Sequence, residues 1–220
     1  MTAEKVTVKS LRKALELRQQ QADTLSSEAD AERAVLELKT AKLKRKILKS
    51  QDYHYGVFRL YDVIDGATCV SLEMSMAEWA RANPGKSITL YLHSPGGELM
   101  AGWLLYDALR TLSKQGHHVT VVVRGYAASM GAVLLQAGDT RLVGEESHLM
   151  VHEVSYGVQG KMSDHEDTTK TIAAMNKRLF KVLAQRSTLS AKQLLAKVQR
   201  RDVWMDSNEA VSLGLADAIG

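Results

Sequence analysis

The rhythm of hydrophobic and polar positions changes near residue 51. Before it the chain has no Pro and no Gly and is rich in Ala, Leu, Glu, Lys, Arg and Gln, all strong helix formers. Leu11, Leu15, Ala22, Leu25 and Ala29 recur at three- and four-residue spacing, with Arg18 interrupting the stripe. That pattern predicts a long helix or helical hairpin over residues 1–50 that contacts another protein surface. A solvated arm is the plainer reading of the same weak amphipathicity.

Beyond residue 51 short β-rich runs alternate with helical periods. FRLYDVI (58–64) reads as a strand, 69–83 as a helix, and ITLYLH (88–93) as a strand ending in Ser94-Pro95-Gly96-Gly97. Residues 98–114 have helical period. HVTVVVRG (118–125) is apolar and β-branched without alternation, as suits a strand buried on both faces. AASMGAVLLQAG then predicts a tight turn into a buried helix. Short strands follow at 141–143 and 148–152, a long helix at 163–186 and a final helix at 190–198. Strands alternating with helices predict an α/β fold with a largely parallel sheet.

Composition narrows the class. Of 220 residues 45% are hydrophobic and 25% charged, which excludes a disordered or fibrous chain and allows one domain plus an appendage. The net charge of +4 is uneven: residues 1–50 carry 12 Lys/Arg against 7 Asp/Glu, and residues 51–220 carry 17 against 18. The body therefore has no basic footprint for nucleic acid. No apolar run reaches a membrane span of about 18 residues, and the polar N-terminus does not resemble a secretory signal. A single cysteine, Cys69, excludes an intrachain disulfide and suits a reducing, cytoplasmic setting.

Candidate chemistry sits at strand ends. Residues 80–87 (ARANPGKS) loosely match a phosphate loop, but there a helix precedes and a strand follows, the reverse of what phosphate binding needs. Gly125-Tyr-Ala-Ala-Ser129-Met130-Gly131 has the productive order. A serine between a buried strand and an apolar helix exposes its hydroxyl beside amides at the positive helix end. A helix N-cap is the plainer reading of Ser129. Gly96 and Gly97, at the end of a strand, can offer amides to a carbonyl oxygen. Of seven histidines, His152 ends an apolar strand and is the best-placed base. His148 and His152 would lie roughly 13 Å apart along a strand, too far to share a metal. For the orienting acid the spacing leaves Asp202, Asp206 and Asp217 open.

Together LYLHSPGGELMAG, GYAASMGAVLL, HLMVHEV and RRDVWMDSNEAVSLGLADAI resemble, in order and spacing, the proteolytic subunit of ATP-dependent Clp protease, the ClpP-like serine peptidase family. The resemblance spans about residues 56–219 and implies a ClpP/crotonase-like spiral of ββα units with a protruding handle near 155–186, plus the helical N-terminal extension. It implies a serine endopeptidase with Ser129 as nucleophile, His152 as base and Asp202 as orienting acid. Gly97 and Met130 would form the oxyanion hole, and Gly96 and Gly157 would contact substrate. Tyr156 to Gly160 would be a substrate-aligning strand beside the handle. The substrate would be a peptide or unfolded protein, enclosed by heptameric rings, with an AAA+ unfoldase as a candidate partner and no cofactor, metal, nucleic acid or membrane. A capsid-maturation role is a variant of the same reading. Residues 1–50 replace the family's short axial segment, and Glu153-Val154 replaces its usual Gln-Pro. The competing expectations are a non-catalytic ring subunit, a crotonase-like acyl-CoA enzyme, and a Ser–Lys peptidase using Lys170 or Lys177.

Overall fold

The computed structural model describes residues 51–220 and, before them, residues 15–19, 33, 35 and 39, which are helical and exposed. The rest of the expected N-terminal helix lies outside the described residues. The chain divides into two compact units, Met1–Gln51 and Asp52–Gly220.

The second unit opens with β1 (Val57–Leu60), α1 (Gly66–Ala82), β2 (Ile88–Ser94), α2 (Leu99–Lys114) and β3 (Val119–Ala128). It continues through α3 (Met130–Leu135), β4 (Thr140–Val143), β5 (His148–Val151) and α4 (Met162–Ala184). The chain closes with α5 (Ala191–Val198), β6 (Val203–Met205), α6 (Ser207–Ser212) and β7 (Ala218–Ile219). The sheet runs β1-β2-β3-β4-β7 with every pair parallel. Helices cross over between parallel neighbours, and the result is the mixed α/β architecture that the sequence pattern predicts.

Strand β3 decides where the site lies. Its first half pairs with β4 through Thr120 to Val123, and its second half pairs with β5 through Tyr126 to Ala128. At the changeover Gly125 has φ 77°, and its amide donates to Ser147 Oγ at 3.0 Å. The Ser147 hydroxyl in turn donates to the Val123 carbonyl. Val119, Val121, Val123 and Ala127 are fully buried, as the unbroken apolar run requires. All six residues of α3 are buried too.

Several boundaries differ from expectation. The first strand ends at Leu60, because Asp62 Oδ1 accepts the Val63 amide at 2.8 Å and turns the chain. Ile64 rejoins only as an isolated bridge to Gly97. No strand forms at 156–160: the segment is largely exposed and pairs with no strand among the described residues, and a strand needs a partner for its backbone groups. Residues 190–198 are not the final helix, since β6, α6 and β7 follow; these elements are too short for periodicity to mark. The long helix α4 buries only Leu179, Phe180, Val182 and Leu183 near its end, so its earlier turns stand clear of the core.

Candidate active site

Ser129 joins β3 directly to α3, with no intervening loop. Its φ of 54° and ψ of −119° are strained for a residue with a side chain, a cost of about 1–3 kcal/mol. Two backbone bonds hold the conformation: the Ser129 amide donates to the Met150 carbonyl at 2.8 Å, and the Ser129 carbonyl accepts the Ala132 amide at 3.1 Å. The side chain caps nothing. Strain at the turn therefore aims Oγ outward, against the plainer N-cap reading.

His152 leaves the end of β5, the strand beside Ser129. Its Nε2 lies 2.8 Å from Ser129 Oγ, and the imidazole is about three-quarters buried. With the ring proton on Nδ1, Nε2 accepts the hydroxyl proton. Asp202 arrives by a different pairing. Strands β5 and β6 are antiparallel, with Leu149 opposite Met205, Met150 opposite Trp204 and Val151 opposite Val203. One step further, the same register sets His152 opposite Asp202. Nδ1 is 3.5 Å from Asp202 Oδ1, longer than a tight hydrogen bond, and the carboxylate is 60% exposed.

The rival acids are occupied elsewhere. Asp206 caps α6 by accepting the Glu209 amide at 2.8 Å. Asp217 receives Arg141 and Arg186. Lys170 pairs with Asp167 on α4 at 3.4 Å, and the bond from Ser129 Oγ runs to His152 rather than to a lysine. Burial pushes the Cys69 thiol up to about 11, so it offers no competing thiolate.

The glycine pair lies against the serine. A side chain on Gly96 would meet Ser129 Cβ and the Ala128 carbonyl, both at 2.7 Å, and Met130 N at 3.1 Å. Gly97 is clamped by Ile64: the Ile64 amide donates to Gly96 O at 2.8 Å, and the Ile64 carbonyl accepts the Glu98 amide at 2.7 Å. Between these bonds the Gly97 amide donates to no acceptor among the described residues, and neither does the Met130 amide at the start of α3. A free amide opens α3 next to a hydroxyl that is already hydrogen-bonded to a base, and a second free amide follows the glycine that lies against that serine, a set of groups suited to acyl transfer. Sequence reasoning named Ser94 in this motif but gave it no role; it is fully buried, and its Oγ accepts the Gly96 amide at 3.1 Å and shapes this turn. Gly157 lies apart, in the exposed segment before α4, with open space around it. Among the described residues no group of three His, Cys, Asp or Glu is placed to hold a metal. No described helix is long and apolar enough to cross a membrane.

Residues 57–220 match the model of the Clp protease family. The chain belongs to that family. Among relatives of this chain is the ATP-dependent Clp protease proteolytic subunit of Bacteroides fragilis, 35% identical over 158 residues, covering 71% of this chain and 74% of that one. The protein of the same name from Porphyromonas gingivalis is 35% identical over 71% of this chain and 69% of its own length. That from Bacteroides thetaiotaomicron is 34% identical over 71% and 70%. The chain is a ClpP-like serine-type endopeptidase.

Proposed function

We propose that this endopeptidase cleaves peptide bonds with Ser129, His152 and Asp202, and that the Gly97 and Met130 amides stabilise the oxyanion. Ser129 Oγ attacks the scissile carbonyl carbon while its proton passes to His152 Nε2. The carbonyl oxygen becomes an oxyanion facing the two amides, at the positive end of α3. As the intermediate collapses, the C–N bond breaks and the imidazolium returns its proton to the leaving amine. Water then hydrolyses the acyl-enzyme by the same route. Asp202 keeps the ring proton on Nδ1 and offsets the imidazolium charge. Only water is consumed, so the reaction needs no cofactor.

The observation that carries this reading is the 2.8 Å contact between Ser129 Oγ and His152 Nε2 at a strained strand-to-helix turn. Gly96 supports it, since any larger residue there would fill the approach to Ser129. The finer assignments extend the same proposal. The substrate is a peptide or unfolded protein, with Gly96 and Gly157 along its path. The chain assembles into heptameric rings around a chamber in the cytoplasm. An AAA+ unfoldase feeds it, in keeping with relatives named as subunits of an ATP-dependent protease. The peptidase domain takes residues 51–220, and residues 1–50 are a basic extension that precedes it in sequence.

Incubation with a fluorophosphonate probe, followed by intact mass, tests the site. A single adduct on the wild-type chain, absent from Ser129→Ala, is expected. An adduct that persists in Ser129→Ala would overturn the assignment.

A further inference from the structure

Asp202 is held by little of its own. The last recorded pair of the β5–β6 ladder is Val151 with Val203, one step short of His152 and Asp202. The carboxylate is 60% exposed and 3.5 Å from the ring nitrogen it faces. Something else must set where the 199–202 turn brings it.

Two bonds do so. Arg200 adopts φ 59°, a left-handed conformation that is unfavourable for a residue with a side chain. Its amide, turned by that conformation, donates to Glu153 Oε2 at 3.1 Å. Arg201 Nε donates to the Lys197 carbonyl at 2.7 Å, which ties the same turn back to α5. Glu153 directly follows His152, and Arg200 stands two residues before Asp202. The carboxylate therefore bridges the strand that carries the base to the turn that carries the acid, just beyond where the backbone ladder stops.

We propose that Glu153 is a positioning residue for the endopeptidase reaction: its carboxylate holds Arg200 in the left-handed turn that sets Asp202 opposite His152. The proposal rests on the Ser129–His152–Asp202 reading. It gives Glu153 no contact with substrate. A bond from a charged acceptor to a backbone amide is among the stronger hydrogen bonds, so it can offset the conformational cost at Arg200. Without it, Arg200 relaxes toward negative φ and Asp202 swings away from the ring. A displacement of about 1 Å in a catalytic array costs up to about 100-fold in rate.

The test uses the full chain and the rate of Ser129 acylation by a fluorophosphonate, resolved into kinact and KI. Glu153→Ala should lower kinact by about 10- to 100-fold. KI should stay within about twofold, because the probe's binding surface is untouched. Glu153→Gln keeps an acceptor oxygen in place and should restore most of kinact. Should Glu153→Ala fail to fold, Glu153→Asp carries the same expectation, since one methylene less puts the carboxylate out of reach of the Arg200 amide.

The double-mutant cycle separates this proposal from the one beneath it. Asp202→Ala alone should lower kinact strongly, and adding Glu153→Ala should change it by less than about twofold further, since Glu153 acts through Asp202. An equal loss from Glu153→Ala in both backgrounds, full activity in Glu153→Ala, or no rescue by Gln overturns the positioning role and leaves the triad standing. Unchanged kinact in Asp202→Ala overturns the triad reading itself.

Discussion

Gly97→Ala probes the proposed oxyanion hole at its tightest point. Gly97 has φ 149°, and a Cβ there would sit 2.2 Å from the Ile64 carbonyl oxygen and 2.9 Å from Ile64 C and N. An ordinary carbon contact is about 3.5 Å, so the backbone must yield by about 1 Å. All three nearest atoms are Ile64 backbone, so no flexible side chain can take up the shift. The move breaks the Ile64 bridge and turns the Gly97 amide off the oxyanion. Loss of one such donor costs on the order of 10²–10³ in kcat, or about 3–4 kcal/mol of transition-state stabilisation. The assay is steady-state cleavage of a fluorogenic peptide beside fluorophosphonate acylation, with circular dichroism and thermal melting to establish folding. Gly66→Ala is the control. Gly66 has open space around it and opens α1, so the substitution should leave kcat within about twofold and raise stability by up to about 1 kcal/mol. A folded Gly97→Ala protein with kcat within about threefold of wild type would refute the argument, since a lost oxyanion donor cannot be that mild.

Three further outcomes follow from the acids and the nucleophile. Ser129→Ala should lower peptide hydrolysis by at least about 10⁴-fold without loss of folding, read by the same peptide assay and a thermal melt. Asp206→Ala should cost about 1 kcal/mol of stability through loss of the α6 cap while leaving kcat within a fewfold, and Asp202→Ala should do the reverse; denaturant melts beside kcat distinguish them. Asp217→Asn should cost about 3 kcal/mol, because Arg141, 2% exposed, loses its carboxylate partner. Burial alone would raise the Asp217 pKa, but hydrogen bonds from Arg141 and the charges of Arg141 and Arg186 outweigh it and hold the carboxyl below its ordinary value. The stability this pair supplies is therefore present above about pH 4 and lost as pH falls through the folded-state value. A pH series of thermal melts should show a shallower acid decline in Asp217→Asn than in wild type.

The peptidase body was largely legible because its signals are local. An unbroken apolar run marks β3, a helical period marks α2 and α4, and a serine flanked by small residues marks the β3–α3 turn. Those patterns report burial and backbone propensity residue by residue, so neighbours in sequence suffice to read them. Periodicity did not mark the three closing elements because they span six residues or fewer. The strand expected at 156–160 came from the family resemblance alone, and among the described residues this segment has no strand to pair with.

The sequence by itself determined the α/β class, the serine at a strand-to-helix turn, the glycine pair and the histidine at a strand end. Residue pattern alone left the acid open among Asp202, Asp206 and Asp217, and only the resemblance pointed to Asp202. The tertiary structure supplies the physical separation. The antiparallel register of β5 and β6 brings residue 202 opposite residue 152, while Asp206 caps a helix and Asp217 neutralises a buried arginine. The tether from Glu153 to Arg200, 47 residues apart, belongs to the same level. Register and long-range contact arise from how strands pair in space, and no local pattern of residues encodes that pairing.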